Sequence, residues 1–161
     1  MMRWQFVRGR GLISSLISWY DGIYSHVDVI TPQGKLRGAL STTIGGVAPG
    51  YRDRPADYGI HNWCVRTVFT LPVTEKQEKK YWEFSDRQLG KPYDSRGIAG
   101  FVFGKRNWRE PDSWFCSEEV QANCEYADIS PPMYENANRV DPGDLAFILC
   151  ALGASYVDLI K

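Results

Sequence analysis

The chain has 161 residues, 43% apolar and 14% aromatic, with 19 basic and 19 acidic side chains and a formal net charge of +0. This length suits one domain that buries about 70% of its unfolded surface, and the balanced charge lacks the basic excess of a general nucleic-acid binder. No run reaches the ~20 apolar residues of a membrane span, and Leu12–Tyr20, short and without a small-residue cleavage site, is not read as a signal peptide. The expectation is one domain over residues 1–161, made in the cytoplasm, with no nucleic-acid partner and no membrane span.

In chain order, Trp4–Arg8 reads as a short strand. Leu12–Tyr20 places Leu12, Ile13, Leu16, Ile17 and Tyr20 on one helical face. Tyr24–Ile30 and Lys35–Ser41, joined by Thr31-Pro32-Gln33-Gly34, read as a β-hairpin. Residues 42–59 are rich in Gly, Pro, Arg and Asp and read as a loop, in which Gly45-Gly46-Val47 begins a short strand. Asn62–Leu71 is strand-like. Thr74-Glu75-Lys76-Gln77 has the form of a capping box, opening a helix to about Leu89 that Gly90 closes. Tyr81, Trp82, Phe84 and Leu89 are its expected buried side. Residues 91–113 form a long connection of the kind that is often functional. A helix opens at about Cys116, Ser130-Pro131-Pro132 breaks it, and Asp141-Pro142-Gly143-Asp144 starts a last helix over Leu145–Leu152.

The chemistry centres on the helix that starts at Cys116. Cys116, Val120, Cys124 and Ala127 fall at i, i+4, i+8 and i+11, one apolar stripe. Cys116 thus sits in the first turn, facing the rest of the protein. Unpaired backbone N–H groups and the positive end of the helix dipole there favour a thiolate. A buried, inert thiol is the competing reading. Cys64 and Cys150 read as core residues. The four cysteines (64, 116, 124 and 150) contain no CxxC pair, and with two histidines they make no recognisable zinc spacing, so no metal or organic cofactor is expected.

A nucleophilic thiol needs a base and a group to orient that base. Only His26 and His61 are available. His26 opens a strand on which His26, Asp28 and Ile30 share one face, whereas His61 lies at a loop edge and reads as a solvated or capping residue. Any partner of Cys116 therefore precedes it in the chain, which geometry permits because such constellations are not tied to chain order. Asp28 has two readings, an orienting acid for His26 or a partly exposed salt-bridge partner. Trp114 and Phe115 have two as well, substrate wall or core, and Tyr93 lines the cleft or is a buried structural residue. Ser117, Glu118 and Glu119 complement the helix dipole.

Ser25-His26-Val27 on a strand, a Gly-bearing hairpin, Lys91-Pro92-Tyr93-Asp94, and Phe115-Cys116-Ser117-Glu118 on a helix together resemble the circularly permuted branch of the NlpC-like papain-fold cysteine hydrolases. That branch includes lecithin:retinol acyltransferase. The hairpin from His26 to Ala39 followed by Gly45-Gly46-Val47 is similar to phage-borne members, and the resemblance spans roughly residues 8–125. It implies an α+β, permuted papain-like fold, a small antiparallel sheet against helices with the nucleophile at a helix N-terminus. It implies Cys116 as nucleophile, His26 as general base, and an acyl-cysteine route to amide hydrolysis. A cell-wall (peptidoglycan) peptide is the leading substrate, lipid ester hydrolysis or acyl transfer the next. A non-catalytic phage-particle or host-interaction module is the other reading, with phage particle proteins as partners and the host cell or virion as location. The family places a third polar residue on the strand after the histidine. Here that strand, Leu36–Ser41, offers no acid, and Asp28 is the candidate in its place.

Overall fold

The computed structural model describes residues 1–10, 23–44, 46–94, 112–132 and 140–160. In chain order these form β1 (Met2–Gly9), β2 (His26–Ile30), β3 (Leu36–Leu40), β4 (Gly50–Arg54), a 3-10 turn (Ile60–Asn62) and β5 (Trp63–Leu71). Then come α1 (Glu75–Gln88), α2 (Cys116–Tyr126), α3 (Pro142–Ala151) and β6 (Ser155–Ile160). The strands make one sheet in the order β4-β3-β2-β1-β5-β6, with every neighbouring pair antiparallel. The architecture is the expected α+β, with Cys116 as the first residue of a helix.

Two-residue alternation explains how β2 serves both core and site. Trp4 and Phe6 of β1 stand opposite Val29 and Val27. These four join Val120 and Cys124 of α2 and Leu145 and Leu149 of α3 in one apolar cluster. Each such side chain contributes roughly 1.5–3 kcal/mol by leaving water. The other side of β2 carries His26 and Asp28, in register with Val7 and Gln5. Val7, Leu36, Tyr58 and Trp63 form a second cluster. One strand thus anchors the main core with its valines and presents two ionisable groups with the residues between.

Helix starts follow the chemistry expected of them. The Thr74 hydroxyl accepts from the Gln77 N–H at 3.2 Å, and the Gln77 side-chain oxygen accepts from the Thr74 N–H at 3.0 Å, completing the capping box. Asp141 caps α3 by accepting from the Asp144 N–H at 2.6 Å. The α2 stripe of Cys116, Val120, Cys124 and Ala127 is buried throughout.

Several expectations are corrected. Leu89 is 41% exposed, because it lies past the last helical turn; Trp82 and Phe84 are only half-buried, and Tyr81 is the deep anchor of α1. Cys150 is exposed and Cys64 half-buried, so neither is a core residue. The polar segment 42–59 contains β4. It is a strand because its backbone pairs with β3 and because residues 90 and 91 bond its outer edge, Tyr51 N–H to Lys91 O and Gly90 N–H to Tyr51 O, both at 2.9 Å. Ile44 and Val47 bridge each other across a tight turn at Gly46 (φ 76°) where a strand start was expected. The last helix begins at Pro142 rather than Leu145, and β6 follows it unannounced. The Leu12–Tyr20 helix, Gly45 and most of the 91–113 connection lie outside the described residues.

Candidate active site

Cys116 and His26, 90 positions apart in sequence, meet in the fold. The N-terminus of α2 is fixed from three directions. Asp94 N–H donates to Trp114 O at 3.0 Å and Trp114 N–H to Pro92 O at 3.1 Å, so the two ends of the long connection pair just ahead of the helix. Glu118 reaches back to accept from the Phe115 N–H at 3.3 Å. Ser117 Oγ donates to Val140 O at 2.7 Å. These bonds leave Cys116 only 1% exposed, with its sulfur close enough to the His26 ring to act on it electrostatically. Tyr93, half-buried, packs on Phe115 with ring centroids 6.0 Å apart.

On its other edge the imidazole meets a pair of groups. His26 Nε2 lies 2.9 Å from Asp28 Oδ1 and 3.0 Å from the Tyr58 hydroxyl. The ring N–H is aligned on the phenol oxygen, and Oδ1 has no aligned donor of its own. The Tyr58 hydroxyl in turn donates to Asp28 Oδ2 at 2.5 Å. Asp28 is wholly buried, which removes the partly exposed salt-bridge reading.

Burial opposes a charge on His26. The Asp28 carboxylate and the Cys116 sulfur outweigh it and raise the ring's pKa to about 10, the expected sign for opposite charges at short range. The site is therefore built around an imidazolium. Tyr58 titrates well above its ordinary value, through burial and then the nearby Asp28 charge, and so keeps its proton to donate.

Three residues of this arrangement were not singled out from the sequence. Gly38 sits on β3 where a side chain would face Asp28. A Cβ built there would come within 2.1 Å of Asp28 Oδ1, so the missing side chain is the space the carboxylate fills. An acid on the neighbouring strand occupies that volume. A glycine inside a strand signals close approach and is the cue that was present. Tyr58 lies in a polar loop and carried no cue. Arg54, fully buried, donates to Gly38 O at 2.7 Å and Gly50 O at 2.9 Å, and its guanidinium lies 5.7 Å from the centroid of the Tyr58 ring. It pins the loop that carries Tyr58.

Glu119 also departs from expectation. It is buried and accepts a hydrogen bond from Asn123 one turn on. The Tyr51 hydroxyl faces it, itself paired with Ser85 Oγ at 2.7 Å. Burial pushes its pKa up to about 8 and the Asp28 charge adds to the rise, against Tyr51, Asn123 and Arg37. His61 is exposed, as expected, and takes no part.

Among the described residues no group of three or more His, Cys, Asp and Glu side chains is placed to hold a metal ion, and no helix is long and apolar enough to cross a membrane. No family model and no curated protein matches the chain. The fold is similar to that of the metalloprotein YiiX from Escherichia coli O157:H7, at 21% sequence identity and a TM-score of 0.56 over 78% of this chain. The match covers 64% of the YiiX chain, so the likeness is one of fold.

Proposed function

We propose that the chain is a thiol hydrolase of the permuted papain-like type, cleaving an amide, with a cell-wall peptide as the leading substrate. The observation that carries this reading is the imidazole of His26 held between the Cys116 sulfur and a buried carboxylate. The thiol proton passes to His26, so that the pair stands as thiolate and imidazolium, and the thiolate attacks the substrate carbonyl. The backbone N–H of Cys116 belongs to the first helical turn, whose donors lack intrahelical acceptors, and it is the donor offered to the oxyanion. The imidazolium then passes its proton to the departing amine. Water, activated by the same ring, releases the acyl group from sulfur.

Because the Tyr58–Asp28 pair engages Nε2, the ring keeps one orientation through both half-reactions. That is the role the resemblance gives to a third polar residue. The test is mass spectrometry of the intact chain incubated with peptidoglycan fragments and, separately, with activated lipid esters. A transient acyl adduct on Cys116 with the peptide, absent in Cys116→Ala, is the expected result. An adduct only with the esters moves the substrate to the lipid class. No adduct with either, and an iodoacetamide profile at Cys116 that His26→Ala leaves unchanged, overturns the enzyme in favour of a binding module.

A further inference from the structure

We propose, resting on the hydrolase reading above, that Tyr58 is a positioning residue that stands between His26 and Asp28 and limits how tightly the carboxylate holds the imidazolium proton. The hydrogen-bond directions follow from counting protons. Tyr58 has one. Its 2.5 Å contact is to Asp28 Oδ2, an ionised acceptor and so the stronger partner. The phenol oxygen is then left to accept from His26 Nε2–H at 3.0 Å. The path runs from imidazolium to phenol to carboxylate, although Asp28 Oδ1 is itself only 2.9 Å from Nε2. A tyrosine that merely filled space would not need its hydroxyl directed into that gap.

Among the described residues, the groups around the ring come from each neighbouring element. Asp28 lies on the same strand, Tyr58 on the loop after β4, and Cys116 on α2. Behind them Arg54 of β4 stacks on Tyr58, and Glu119 of α2 acts on Asp28 through charge. Among the described residues only Tyr58 shares a hydrogen bond with both members of the His26–Asp28 pair. By donating to Asp28 it disperses the carboxylate charge. By accepting from Nε2 it keeps the ring N–H off Oδ1. Gly38 makes the geometry possible by leaving room for Oδ1. An imidazolium paired directly with a bare, buried carboxylate would be a poor acid toward a leaving group.

The experiment follows the His26 titration by NMR on full-length chain labelled with 15N-histidine, with His61 identified by a His61→Gln variant. Tyr58→Phe keeps the ring against Trp63 and Arg54 and removes only the hydroxyl. It is expected to raise the His26 midpoint by about one pH unit, a tenfold tighter hold on the proton. Incorporating 3-fluorotyrosine at position 58 retains the fold with a stronger donor and is expected to lower the midpoint. Asp28→Asn is expected to lower it as well. An unchanged midpoint in both Tyr58 variants, or a fall in Tyr58→Phe like that of Asp28→Asn, overturns the proposal. Cys116 alkylation in His26→Ala separates the two readings. If it matches the unmodified chain at all pH values, the hydrolase reading fails. If it changes while the Tyr58 variants leave His26 unmoved, only the role of Tyr58 fails.

Discussion

At the scale of single residues, the two buried thiols of α2 have different neighbours. Cys116 and Cys124 lie two turns apart on one helix and are equally buried. Cys124 has no imidazole beside it, and burial, with the charge of Glu119 next, pushes its thiol far above the ordinary range. Iodoacetamide at pH 7 is therefore expected to modify Cys116 and leave Cys124 unmodified, as read by peptide mapping. Equal labelling of the two would remove the distinction. For turnover of whichever substrate is found, Cys116→Ala is expected to abolish activity. His26→Ala is expected to lower kcat by about 10²–10⁴ with little change in KM, the usual size for a lost general base. A KM effect with kcat retained would place His26 in binding.

At the scale of elements, the sheet positions the acid and the helices keep the sheet in place, and the two contributions are separable. Gly38→Ala pushes a methyl group onto Asp28 Oδ1. Overpacking of this kind costs about 1–3 kcal/mol, and it also displaces the carboxylate, so stability and activity are expected to fall together. Thr74→Ala removes the α1 cap at the far end of that helix, at a cost of about 1 kcal/mol, and is expected to leave activity intact once the folded fraction is matched. Denaturant melts with activity assays check both, and a Thr74→Ala protein that loses activity while folded would contradict the separation. The same elements explain what was legible in the sequence. The α2 stripe, the Thr74 capping box and the alternation of β2 were readable because burial and capping leave marks at fixed spacing. The strand β4 was not, because its residues Arg52, Asp53 and Arg54 are polar for tertiary reasons. Asp53 pairs with Arg37 of β3 at 2.5 Å, and Arg54 holds backbone carbonyls from inside. The strand β6 did carry a signal in Tyr156-Val157-Asp158-Leu159, an aromatic and β-branched run, but it is exposed on both faces and gave no core pattern. Cys116 and His26 were legible as residue types, whereas Tyr58 was not, since its role comes from a loop folding over β2.

For the whole molecule, the buried ionisable groups give stability a direction in pH. His26 has a folded pKa of about 10 against an ordinary 6.5. Its contribution is full below 6.5 and is lost as pH rises through 10. Glu119, raised from 4.5 to about 8, works in the same sense: the folded chain prefers it protonated, and that advantage is lost between 4.5 and 8. Tyr51, Tyr58 and Tyr81, buried and raised well above 10, extend the trend upward. Asp128, exposed and lowered by Lys80, acts only at the acid end. The melting temperature is therefore expected to decline from about pH 5 to pH 10 in two overlapping steps. Glu119 stands where α2 meets Tyr51 of β4, which bonds Ser85 of α1, which in turn accepts from Arg37 of β3 at 3.1 Å. Its charge is thus a liability for the whole packing of helices on sheet. Glu119→Gln should flatten the decline between pH 5 and 6.5, make it shallower from 6.5 to 8, and leave the fall from 8 to 10, which belongs to His26. A calorimetric series that keeps its full slope below pH 6.5 in this variant would assign the first step to other groups. A series that also flattens above pH 8 would mean that the two buried charges titrate as one unit through Asp28, which lies between them in the electrostatics of the site.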